Sequence, residues 1–393
     1  MNTRLKAILW VTFAVLLAMP GHAQPEATAG GQVTVTAPHD GLRLLLPPEI
    51  YSVVGHEMNI YFDNVMLVPS LDNYLVAVRC NVGRQQQHRW TYVPKAEEIG
   101  SHNLKLQLYD LSANLLAEAE TVVHVVPADA GAGREMSLLA VGDSLTANGH
   151  YPAELVSLCR SVENPQLRMI GTRSGPAEGA MHEGYGGWTW RAFATRWLEE
   201  RPDQANSPFM RLEEGKPILD FWTYCAAQNN GAGPDFITVL LGCNDVFSAT
   251  DENIEEVIDE LFGHASTLLA EFHRVRPDTQ IGVLLLVPPA ASQDAFGASY
   301  GCRQPRWQYR RNQHRLVERQ LEQFGEREAE NIFIVPALGN LDCANNYPAR
   351  SEPANARNQQ TVLRQNNGVH PSPEGYHQIA DSIYCWLKYR LSQ

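Results

Sequence analysis

A chain of 393 residues, 44% of them hydrophobic and 19% charged, is long enough for two cored domains and too apolar for wholesale disorder. Its formal net charge of −13 provides no basic footprint, which argues against nucleic acid or an anionic membrane as a partner. Seven cysteines leave at least one thiol unpaired, whichever bridges form.

The first element is Met1 to Ala23. Arg4 and Lys6 precede an uncharged apolar run from Ala7 to Met19, Pro20-Gly21 breaks it, and Gly21 and Ala23 suit a signal-peptidase cut. The run is well short of the roughly 20 residues a spanning helix needs. A cleaved signal over 1–23 is therefore expected, with a secreted or periplasmic product, no membrane span, and no cysteine after the cut to carry lipid. Over 30–127 the pattern has period two. Leu104, Leu106 and Leu108 alternate with Lys105 and Gln107, and Tyr74, Val76, Val78 and Cys80 form a second row. Such short strands between Pro, Gly and Asn clusters predict a small β-sandwich. Residues 128–135 read as a linker, small from Ala128 to Gly133 apart from Asp129. From 136 to 393 apolar runs alternate with helical segments: Ser137–Val141, Leu167–Ile170, Phe236–Leu241, Ile281–Val287 and Ile332–Val335. That alternation predicts an α/β fold, a three-layer α/β/α domain around a parallel sheet.

In an open parallel sheet ligands bind beyond the carboxyl ends of the strands. After the first run stands Gly142-Asp143-Ser144-Leu145, where a tight turn exposes a serine beside free backbone N–H groups. After the third stands Gly242-Cys243-Asn244-Asp245, whose Asn244 amide reads as an oxyanion donor or as a turn residue. Between them lies Glu183-Gly184-Tyr185-Gly186-Gly187-Trp188, whose glycines let backbone approach a ligand. Before the C-terminal helix, Asn367-Gly368-Val369-His370-Pro371 puts one imidazole on a loop. Tyr185, Trp188 and Trp190 offer sugar-stacking faces or, as the commoner outcome, packing against the sheet. Arg311, Arg315 and Arg319 form an i, i+4, i+8 stripe, a solvated face balanced by acids or, more sharply, a contact for uronic-acid polymers. Cys302 and Cys343 lie in loop-like segments and form the preferred disulfide pair, whereas Cys243 and Cys385 are expected in the core. His182-Glu183 lacks the second histidine of a zinc-protease helix, and neither a metal nor another cofactor is expected.

The order Ser, Gly, Asn, His resembles the SGNH, or GDSL-type, serine hydrolases, over roughly Met136 to Leu391. The resemblance implies Ser144 as nucleophile and His370 as general base. It implies an oxyanion hole from the Ser144 and Gly187 N–H groups and the Asn244 amide, with Gly186 the alternative to Gly187. The family places an Asp three residues before the histidine, where this chain has Asn367. The Asn367 oxygen is expected to hold the useful His370 tautomer, or else Asn367 serves the turn while another group orients the imidazole. The preceding β domain adds a likeness to exported bacterial enzymes that deacetylate polysaccharides. Acylated carbohydrate is thus the expected substrate, ahead of a lipid or small ester, and a non-catalytic glycan-binding protein is the third reading.

Overall fold

Glu135–Gly142, Gln166–Ile170, Phe236–Leu240, Gln280–Leu284 and Ile332–Val335 are parallel neighbours, with the first strand lying between the second and third. The computed structural model describes residues 42–199 and 206–393. The expected signal segment and the first residues of the expected β domain lie outside them. Every residue from Met136 to Gly142 is buried, the pattern of a strand covered on both faces. Helices His150–Leu158 and Pro373–Ser392 pack together on one side of the sheet. Trp190–Thr195, Ile254–Val275 and Arg306–Phe324 pack together on the other, completing the three-layer α/β/α arrangement. Trp386 of the last helix is fully buried and meets Phe236 edge-on at 5.7 Å. Among the described residues no helix is long and apolar enough to cross a membrane.

The N-terminal region forms small sheets. One has four strands in the order Glu49–Val53, Leu115–Val126, Gly100–Tyr109, Leu75–Arg79; another has three, Met58–Tyr61, Arg89–Tyr92 and Arg84–Gln85. Tyr51 stacks on Tyr389 of the C-terminal helix at 4.7 Å. Buried polar groups complete the attachment, each with a partner, as burial requires. Asn64 Nδ2 donates to the carbonyls of Leu338 and Leu341 at 3.0 and 2.7 Å, and Arg310 Nη2 donates to Met66 O at 2.9 Å. These regions belong to one compact unit.

Two features depart from the sequence reading, and a third, the arginine stripe, follows its acid-balanced alternative. The hairpin Ala349–Asn355/Asn358–Gln365 has no apolar alternation and was not legible as strand, because both of its faces are largely exposed. Arg311, Arg315 and Arg319 do not present a free cationic stripe. They pair with Asp251, Glu255 and Asp259 of the neighbouring segment at 2.8, 2.5 and 2.6 Å. The Cys302–Cys343 bridge is not formed. Cys343 is buried with its Sγ 3.4 Å from Asn64 Oδ1, while Cys302 is exposed. Loop character placed both cysteines near the surface, but docking of the Asn64 segment turns one of them inward. Cys243 and Cys385 are buried free thiols, as expected.

Candidate active site

Strand register assembles the site. Gly142 pairs with Leu240 on one side and with Gly184 on the other. The second pairing exists because the short strand Met181–Gly184 takes over beside Gly142 where Gln166–Ile170 has ended. Ser144, the Gly186-Gly187 pair and Asn244 each follow this row by two to four residues, so they converge at one sheet edge. Gly142 itself has no room for a side chain: a Cβ there would lie 2.7 Å from Leu240 O and 2.9 Å from Thr146 Cβ.

Ser144 opens a single helical turn, Ser144–Ala147, capped by Asp143 Oδ1, which accepts from Leu145 N at 2.9 Å. The half-buried Ser144 Oγ lies 2.9 Å from His370 Nε2. Burial pushes the His370 pKa below its ordinary value. Tyr185 to Trp188 form a turn closed by Trp188 N donating to Tyr185 O at 3.1 Å. Gly187 adopts φ +79°, which only glycine takes without strain, as the third position of a type II turn requires. Gly186 and Gly187 are exposed, and a Cβ on Gly186 would be 4.0 Å from Ser144 Cβ. Asn244 Nδ2 donates to Trp188 O at 2.9 Å and to Asp143 Oδ2 at 3.2 Å. Its amide is thus pinned between the residue after Gly187 and the residue before Ser144. A hydroxyl beside an imidazole base, with the backbone N–H groups of the glycine turn alongside, suits attack on a carbonyl and reception of the resulting oxyanion.

Three expected site residues, Asn367, Trp188 and Tyr185, stand elsewhere in the chemistry. Asn367 does not reach the far nitrogen of His370. Its Oδ1 accepts from Val369 N and His370 N at 3.1 and 2.9 Å, shaping the loop as an Asx turn. Among the described residues no group accepts from His370 Nδ1. Trp188 is buried and stacks on Tyr185 at 4.1 Å, with Phe193 against its edge. The Arg173 and Arg196 guanidiniums lie 4.9 and 5.5 Å from the two ring centroids, so this row of planes leaves no free aromatic face for a sugar.

The sequence reading missed Glu183. It is fully buried at the end of Met181–Gly184 and accepts from Thr172 N and Oγ1, Tyr185 OH and Tyr224 OH at 2.5–2.9 Å. It anchors the strand that carries the glycine turn, aided by His182 Nδ1, which accepts from Gly184 N at 3.0 Å. The only local signal was a Glu directly before the glycine-rich block. Asp143 was also overlooked; burial lifts its pKa to about 7, and Asp245, similarly buried, is lifted to about 7 as well.

The family model for GDSL-like lipase/acylhydrolase matches residues 138–383, more than half of the chain. A family 3 carbohydrate esterase from Clostridium thermocellum has 18% identity, with 66% of this chain and 100% of that chain covered, at a TM-score of 0.40. An acetyl esterase solved with acetate ion has 16% identity, covering 65% of this chain and 98% of its own, at 0.36. An acetyl-xylooligosaccharide esterase from Geobacillus has 16% identity, covering 64% and 94%, at 0.33. No curated protein sequence matches the chain. Match and strand-edge residues agree, and the chain belongs to the GDSL-like lipase/acylhydrolase family as a carboxylic ester hydrolase.

Proposed function

We propose that the protein is an exported serine esterase that removes acetyl groups from carbohydrate, with Ser144 as nucleophile and His370 as base. The observation that carries this is the 2.9 Å contact between Ser144 Oγ and His370 Nε2 at the sheet edge. The Ser144 oxygen attacks the ester carbonyl while His370 takes its proton. The imidazolium returns that proton to the departing sugar hydroxyl, leaving acetyl-Ser144. Water, deprotonated by His370, then releases acetate and restores the serine. The N–H groups of Ser144 and Gly187 and the Asn244 amide receive the oxyanion. Two features favour a short acyl group on a hydrophilic carrier. The glycine turn faces Ser144 so closely that a single Cβ added at Gly186 would reach van der Waals range of it. The hairpin leading into the His370 loop is also built of Arg, Glu, Asn, Gln and Thr, with Leu363 its one strongly exposed apolar side chain. Export rests on the 1–23 segment. On a chain-length series of nitrophenyl esters, turnover is expected to fall sharply beyond propionate, and acetylated polysaccharides are expected to release acetate. Equal or better turnover of octanoate would instead support a lipase, and binding without any turnover a glycan-binding protein.

The acid side of the pH profile tests His370. Only the neutral imidazole can accept the Ser144 proton, so activity is lost as pH falls through the His370 pKa. Burial lowers that pKa, and no carboxylate opposes the shift, so the acidic limb of kcat/KM is expected below the ordinary histidine range. Asn367→Asp keeps an oxygen for the two backbone N–H groups and adds a negative charge next to the imidazole. It is expected to move the limb to higher pH and to raise plateau kcat several-fold, because the charge stabilises the imidazolium. An unmoved limb in a folded variant would show that residue 367 serves the turn alone.

A further inference from the structure

A cleft of about 860 Å³ lies between the N-terminal sheets and the helical layer, and it includes none of the residues assigned to catalysis. Tyr74, Asp110 and Leu116 line it from the N-terminal side. Trp307, Arg311 and Arg315 line it from the helix Arg306–Phe324, with Asp251 and Glu255 beside them. Its size falls within the range of small-molecule and cofactor sites.

The lining selects a ligand class. Both guanidiniums are already neutralised within the wall, Arg311 by Asp251 and Arg315 by Glu255. Asp110 adds a third carboxylate, so the wall holds three acids against two bases and offers an anionic polymer no unspent positive charge. Leu42, Leu67, Pro69 and Ile254 add aliphatic surface to the wall, but a purely apolar ligand would still cover these charged groups and remove the hydrogen bonds they make to water. The ion pairs instead hold planar donors and acceptors in fixed positions, and the half-buried rings of Tyr74 and Trp307 add apolar faces between them. Alternating C–H faces and uncharged hydroxyl groups match that combination.

We propose that this cleft is a second, non-catalytic binding site for a neutral oligosaccharide chain. One wall of the cleft is tied to the chain segment that follows Asn244. Asp251 follows Asn244 after a short loop, and Asn312, also in the lining, donates from Nδ2 to Val246 O and Ala249 O at 3.0 and 2.7 Å. A chain seated there is held near the catalytic edge, and the N-terminal sheets supply one wall of its seat. The binding stands by itself; its use in presenting substrate rests on the esterase reading above.

Full-length protein carrying Ser144→Ala, titrated calorimetrically with cellohexaose, xylohexaose, mannohexaose and hexagalacturonate, separates the two. At least one neutral hexasaccharide is expected to bind and hexagalacturonate is not. Adding Trp307→Ala or Tyr74→Ala should weaken that binding about tenfold or more. In the Ser144 background, the same two substitutions should leave nitrophenyl acetate turnover unchanged and the protein cooperatively folded at the assay temperature. Tyr74→Ser serves as a second variant at the N-terminal wall. Failure of every neutral hexasaccharide to bind overturns the proposal, as does binding that survives both aromatic substitutions or binding of hexagalacturonate alone. Because the binding is read without turnover, failure of the esterase reading would show separately, as absent acetate release with binding intact.

Discussion

Replacing Ser144 with alanine is expected to abolish fluorophosphonate labelling and to lower kcat by about 10⁴–10⁶-fold, leaving only binding and oxyanion stabilisation. The effect is large because, among the described residues, Ser144 alone places a hydroxyl within hydrogen-bond distance of His370 Nε2. Among the described residues Ser144 Oγ meets only His370, and its helical turn is capped by Asp143 instead. The variant should therefore melt within a few degrees of the parent. His370→Ala should match the loss in turnover, since the two groups act as one unit and their effects do not add. Labelling and turnover that persist in Ser144→Ala would remove the assignment altogether.

Asn244→Ala is expected to lower kcat by about 10²–10³-fold with little change in KM, the signature of a donor used mainly in the transition state. The structure gives this amide a position suited to a third donor. Its Nδ2 sits between Trp188 O and Asp143 Oδ2, next to the two backbone segments that supply the other N–H groups. Both of its hydrogens are engaged in the resting enzyme, so an oxyanion must draw one away from a neutral carbonyl or from Asp143. A developing negative charge makes the stronger hydrogen bond. Loss of stability with normal kcat in Asn244→Ala would make the residue a tie between loops and nothing more. Steady-state kinetics together with a melting curve distinguishes the two.

Much of this was legible locally. Gly142-Asp143-Ser144-Leu145 follows an apolar run, and a strand end before a helix exposes what stands there. Asn244 and His370 could be placed by the same rule, and the alternation of runs and helices set the α/β class, because strand and helix periods are properties of short windows. The Arg311, Arg315 and Arg319 stripe was visible as a stripe, but its partners are not encoded by spacing within one helix. Asp251, Glu255 and Asp259 meet it only because two helices pack side by side.

By itself the sequence determined which residue types stand at which strand ends, and therefore the family and the candidate chemistry. The tertiary structure decided which of them meet. Met181–Gly184 is too short and polar to read as a strand, yet its register beside Gly142 brings the glycine turn to Ser144. Glu183, invisible as a functional residue, gathers four donors only once Thr172, Tyr185 and Tyr224 fold around it. Trp188 left the substrate side for the core, Cys343 turned toward Asn64, and the Asn367 oxygen went to backbone N–H groups rather than to the imidazole. The physical reason is common to all of them. A motif specifies a side chain and its local backbone, whereas a hydrogen-bond partner 226 residues away, as His370 is from Ser144, is chosen by strand register and helix packing across the whole domain.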